Sequence, residues 1–178
     1  ADGNRIFGKR GIPIISHKNV RIRQSEIHMA YGGIYPFLQN FNVPAHDKDE
    51  LPTITYESKM VLHEGDETII IYYFGDGHTD GDSIIKFEEA NVVHTGDSFI
   101  RYGLPYIDLS NGGSIKGFIK NLDSIIEICD DDTMIIPGHG VLSKIQDVKD
   151  FRDGLNNYYE MSLKGYKEGL SIDQIAES

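Results

Sequence analysis

Three features of this 178-residue sequence predict a mixed α/β fold in one domain spanning residues 1–178. Short β-branched runs of strand length are interleaved with stretches of helical periodicity. Two of the apolar runs are joined by "EGDE", a hairpin turn, so the sheet is mixed rather than purely parallel. Apolar residues make up 39% and charged residues 25%, ordinary values for a globular chain. At this length a domain buries roughly 70% of its unfolded surface.

The elements follow in order. "GIPIISH" (11–17) reads as a strand, and a charged helical pattern runs from Lys18 to about His28. Residues 29–52 mix Gly, Pro and aromatics without a period, which predicts a long loop of the binding or lid type. "TITY" and the two arms of "KMVLHEGDETIIIYYF" are strands, as are "SIIKF" and "NVVHTGD", the last two joined by the turn "EEAN". The strongest helix starts at the N-cap Ser114 and places Ile115, Phe118, Ile119, Leu122, Ile125, Ile126 and Cys129 on one face. "TMIIPGHG" reads as a strand ending in a turn. A second helix runs from about Asp147 to Lys167, grouping Val148, Phe151, Leu155 and Tyr158, and a capping box at Ser171 and Gln174 opens a third.

Charge and cysteine content exclude several functions. A net charge of −11 argues against a nucleic-acid partner, because phosphate contacts need clustered cations. The most basic window, "HKNVRIRQ", reads as an exposed helix face. The single Cys129 excludes an internal disulfide or a Cys-rich zinc module and is expected to be a buried, inert thiol. No run of 18 apolar residues is present, so no membrane span is expected. No signal peptide is visible, but the chain opens on Ala1 rather than Met, which leaves the compartment open.

Three polar clusters share one context. "GDGHTDGD", "HTGDS" and "PGHG" are each a Gly-containing turn at the carboxyl end of an apolar strand. Such turns can bring side chains from distant parts of a chain to one point, and neutral imidazole with carboxylate is a natural donor set for zinc and similar ions. Singly, each cluster reads as turn-forming polarity, and only the three together make a metal site an equal reading.

Together, "GHTDGDSIIKFEEANVVHTGDSF", "YIDLSNGGSIKGFIKNLDSII" and "MIIPGHG" resemble the metallo-β-lactamase-fold hydrolase superfamily, a likeness extending upstream through "GNRIFGKRGIPIISHKNVR" and "LPTITYESKMVLHEGDE". The resemblance implies an αββα sandwich of two similar halves. It implies that His78 binds a first metal, His139 a second, and that Asp97 bridges both and orients the attacking water. An aspartate at position 97 is similar to the glyoxalase II-like, Asp-bridged type. The implied cofactor is zinc, two ions per intact site. Asp82 is expected to orient His78 from behind or to cap a strand, and His94 to line the site or pack within its strand. Asp80 reads as a turn former, His17 as a helix cap, and His28, His46 and His63 as surface groups. Tyr102, Tyr106 and Asp108 are candidates for shaping a substrate pocket.

The family's H-x-H-x-D-H motif is not in this sequence. In relatives it directly precedes a segment like "ADGNRIFG", so Asp2 falls after it and does not replace its aspartate. An N-terminally truncated fold is therefore expected, with partial or absent metal binding in this chain alone. The implied reaction is hydrolysis of a small-molecule ester, thioester, lactone or amide by metal-activated water. Two alternatives stand beside it: a catalytically inactive fragment, or one half of a two-chain or swapped assembly. The latter would be a homo-oligomer built through a sheet face left exposed by the missing strands.

Overall fold

A computed structural model of the chain describes residues 3–30 and 41–177. It begins with a short helix, α1 (Gly3–Gly8), then β1 (Ile15–His17) and α2 (Lys18–Gln24). Next come β2 (His28–Ala30), β3 (Phe41–Val43), β4 (Ile54–Tyr56), β5 (Lys59–Glu64), β6 (Glu67–Tyr72), β7 (Ile84–Phe87) and β8 (Val92–Ile100). Helix α3 (Ile115–Glu127), β9 (Met134–His139), β10 (Ser143–Lys144), α4 (Ile145–Lys167) and α5 (Ile172–Ala176) complete the chain.

The main sheet has six strands in the order β10-β9-β8-β7-β6-β5, mixed as expected. Only β8 and β9 run parallel, because α3 is the crossover between them; the other neighbours are antiparallel. The β5–β6 hairpin turns at Gly65, whose φ of +58° favours glycine. Two smaller pairs, β1–β4 (parallel) and β2–β3 (antiparallel), stand apart from this sheet.

One face of the sheet is sealed by α3 and α4. Ile84, Val93 and Ile135 meet Phe118, Leu122, Ile125, Val148 and Leu155, all buried. Fully burying a side chain of this kind is worth about 1.5–3 kcal/mol, so this layer dominates stability. Helix α3 starts where expected, with Ser114 Oγ accepting from the Gly117 N–H at 3.2 Å. The capping box at Ser171 and Gln174 also forms.

Several expectations need correction. Residues 11–17 give a strand only from Ile15, where β4 supplies a partner. Helix α2 ends at Gln24, not near His28, because Ser25 Oγ turns back to the Ile22 carbonyl at 2.8 Å. Part of the predicted 29–52 loop is ordered as β2, β3 and a 3-10 turn at Lys48–Glu50; its residues 31–40 lie outside the described residues. Tyr158 does not join the buried face of α4 and is 58% exposed. His17 makes no cap hydrogen bond; its ring is buried, stacked on Tyr73 at 3.8 Å, with Nε2 donating to the Glu57 carbonyl at 3.0 Å. His46 is half-buried against Glu50, 3.4 Å away, rather than a free surface group. Among the described residues, no helix is long and apolar enough to cross a membrane.

Candidate functional site

The "HTGD" segment is not a turn. It lies inside the nine-residue strand β8, which continues because the buried Ser98, Phe99 and Ile100 follow it. The ladder to β9 slips on both sides of Gly96, whose φ is +52°. Such a bulge re-aims the following side chain, here Asp97. His94 braces the slip, its Nδ1 accepting from the Gly96 N–H at 3.1 Å. On the neighbouring strand, a Cβ on Gly138 would collide with Asp97 Oδ1 and the Gly96 backbone, so only glycine lets the two strands approach here. His139 ends β9, its carbonyl accepting from the Arg101 N–H at 3.0 Å.

His78 sits on the loop between β6 and β7. Its Nδ1 is 2.8 Å from the Tyr106 carbonyl, which can only accept, so Nδ1 carries the donated proton and Nε2 is the nitrogen turned toward the site. The His78 carbonyl accepts from the Asp108 N–H (2.9 Å) and the Gly77 carbonyl from the Ser114 N–H (2.8 Å). Asp82 holds the turn that carries His78, accepting from the Thr79 N–H (3.1 Å) and hydroxyl (2.6 Å). Burial raises the Asp82 carboxyl above the usual range, only partly offset by those Thr79 bonds. The Asp80 carboxylate, expected to form the turn, pairs with Arg23 of α2.

The three predicted ligands converge. His78 Nε2 is 3.5 Å from Asp97 Oδ2, and His139 Nε2 is 3.4 Å from Asp97 Oδ1. Each carboxylate oxygen thus faces one imidazole. These separations are longer than the 2.7–2.9 Å or so of a charge-assisted hydrogen bond. The site is open, with side-chain exposures of 22%, 37% and 54% for His78, Asp97 and His139. Among the described residues, no three His, Cys, Asp or Glu side chains surround a common point at metal-binding distances.

The loop after β8 frames the opening. Tyr102 stands edge-on to His139 (5.6 Å between ring centres) and Tyr106 edge-on to His78 (6.0 Å). Asp108 holds the turn of this loop. It accepts from Ser110 Oγ and Asn111 Nδ2, both at 2.6 Å, and from the Asn111 N–H, capping a 3-10 turn at Leu109–Asn111. Burial opposes its charge, but these donors outweigh it and lower the carboxyl below its usual range. Behind the same loop, Leu104, Pro105, Ile115, Leu155, Tyr158 and Tyr159 line an apolar cleft of about 310 Å³.

No protein-family model matches the chain, and no curated protein sequence does. Solved structures do. A metallo-beta-lactamase from Pontibacter korlensis superposes with a TM-score of 0.65 at 13% identity, over 87% of this chain and 63% of that one. BLEG-1 B3 metallo-beta-lactamase gives 0.64 at 18%, over 85% and 69%. DIM-1 metallo-beta-lactamase gives 0.51 at 17%, over 60% and 50%. The chain has the metallo-β-lactamase fold. It spans between half and about two thirds of the length of these structures.

On this metallo-β-lactamase scaffold, sequence reasoning missed three contributors. The Tyr106 carbonyl orients His78, and any residue type can supply a carbonyl, so no residue signal exists. Gly138 makes room for Asp97; its place in "PGHG" was the available clue. The third is Asn121 of α3, 2% exposed, whose Nδ2 donates to the Gly75 carbonyl at 3.1 Å.

Proposed function

We propose that this chain belongs to a zinc-dependent hydrolase in which His78, Asp97 and His139 are metal ligands, Asp97 bridging two ions. One observation carries the reading: the two Asp97 oxygens face one imidazole Nε2 each, at 3.5 and 3.4 Å. Two donors about 2.0–2.1 Å from a tetrahedral zinc lie about 3.3 Å apart, close to these separations. The donor types suit zinc, and the Nδ1–H···O=C bond from His78 to Tyr106 is the kind of support that metal-bound imidazoles use. The set is thin, since each subsite receives only two groups from the described residues, where a catalytic zinc usually has three.

Bound zinc would lower the pKa of a coordinated water toward 7 and polarise a carbonyl. The chain's own contributions are positional. Asp97 offers an acceptor for the water's proton, and the Tyr106 carbonyl, by holding the His78 Nδ1–H, keeps Nε2 aimed inward. Tyr102 and Tyr106 offer apolar ring edges to the non-reacting part of a small-molecule ester, thioester, lactone or amide. The glyoxalase II-like, Asp-bridged subtype fits the carboxylate at position 97.

Metal content after zinc loading and dialysis tests the reading. The expected result is measurable zinc below two per chain, with affinity falling at least about ten-fold in Asp97→Ala and in His78→Ala. Zinc content indifferent to both substitutions overturns it. Chelator-sensitive hydrolysis of a generic thioester or a chromogenic β-lactam would add activity; a zinc-binding chain that hydrolyses neither favours the inactive-fragment alternative.

A further inference from the structure

The loop that carries His78 rests on the first turns of α3, and the contact is close at three successive positions. Ser114 donates its N–H to the Gly77 carbonyl. A Cβ on Gly117 would run into the Asp76 carbonyl oxygen, so at this point the helix backbone lies directly against the loop. One turn further on, Asn121 sends its carboxamide under the loop. The Gly75 carbonyl fixes the amide's orientation, since only Nδ2 can donate to it. Among the described residues the Asn121 Oδ1 finds no hydrogen-bond partner although it is buried, so the group is held there at a cost. Gly77 packs on the same amide: a Cβ there would sit 2.5 Å from Asn121 Nδ2 and 3.1 Å from Asp82 Oδ2. Gly77 does not have a left-handed φ, so what requires glycine is this contact and not the backbone conformation.

We propose that Asn121 is a positioning residue for His78. By fixing Gly75 and Gly77 on α3, it sets the height of the loop at which His78 Nδ1 reaches the Tyr106 carbonyl and Nε2 turns toward Asp97. Its importance for metal binding rests on the ligand reading above; its effect on the His78 ring does not.

The tautomer of His78 tests this in the metal-free chain. In ¹H–¹⁵N imidazole spectra near pH 8, with His78 assigned by His78→Ala, the wild-type ring should be wholly Nδ1–H. In Asn121→Leu, which has similar size but no donor, the Nε2–H form should rise to about half. Gly77→Ala should do the same by pushing the loop off the amide, and it covers the case in which Asn121→Leu fails to fold. Ile125→Val, a core change on the same helix, should lower the unfolding temperature and leave the tautomer alone. A His78 ring that stays wholly Nδ1–H in both loop-seat variants overturns the inference. Zinc affinity should fall about ten-fold in Asn121→Leu. If His78→Ala leaves zinc binding unchanged, the ligand reading fails while the tautomer still decides the role of Asn121.

Discussion

At the scale of single residues, Asp82 and Cys129 give the most direct tests of burial. The folded state raises the Asp82 carboxyl above its ordinary range, so folding favours its protonated form. The stability this contributes is full below the unfolded pKa and is lost as pH rises through the raised folded value. Relative to Asp82→Asn, the wild type should therefore gain stability as pH falls from 7 toward 4, read by urea unfolding at each pH. A constant difference would mean that Asp82 titrates as it does in the unfolded chain. Cys129 is pushed up to about 11, chiefly by burial, and should resist alkylation by iodoacetamide at pH 8 until the chain is unfolded. Cys129, partly buried here, and His78, Asp97 and His139 were all visible in the sequence as residue types in a telling context. Asn121 was not, because an Asn between apolar helix positions reads as a solvent-facing residue until the loop it supports is known.

At the scale of elements, local signals worked where local chemistry decides. Ser114 caps α3, and Ser114→Ala should cost about 1 kcal/mol, lowering the thermal midpoint by roughly 2–4 °C. The β5–β6 turn and both helix starts at Ser114 and Ser171 belong to the same class. Boundaries set by a distant partner were misplaced. Strand β8 runs through "HTGD" because β9, more than 30 residues away, continues the ladder, and β1 begins only where β4 can pair with it. The bulge at Gly96 is a further case: its glycine was visible, but the slip that aims Asp97 belongs to two strands at once.

Over the whole molecule, the two faces of the main sheet differ. The face away from α3 and α4 carries the buried Ile71 and, around it, Met60, Leu62, Ile69, Ile85, Phe87, Val92 and Ile136, all partly exposed. We propose that this apolar face drives self-association of the isolated chain. Light scattering during gel filtration should return a mass above 20.0 kDa, and Phe87→Lys should lower it. A mass of 20.0 kDa at all concentrations removes the assembly reading.

The three converging side chains are also not anchored alike. Asp97 and His139 stand on adjacent parallel strands in the middle of the sheet, while His78 stands on a loop seated against a helix end. Amide hydrogen exchange should accordingly divide the site in two, slow through 92–100 and 134–139 and faster through 75–82. The sheet half would keep its shape through openings that release the loop half. Entry and exit at this site would then be timed by the local unfolding rate of one loop, with the Asp97–His139 pair serving as the fixed jamb.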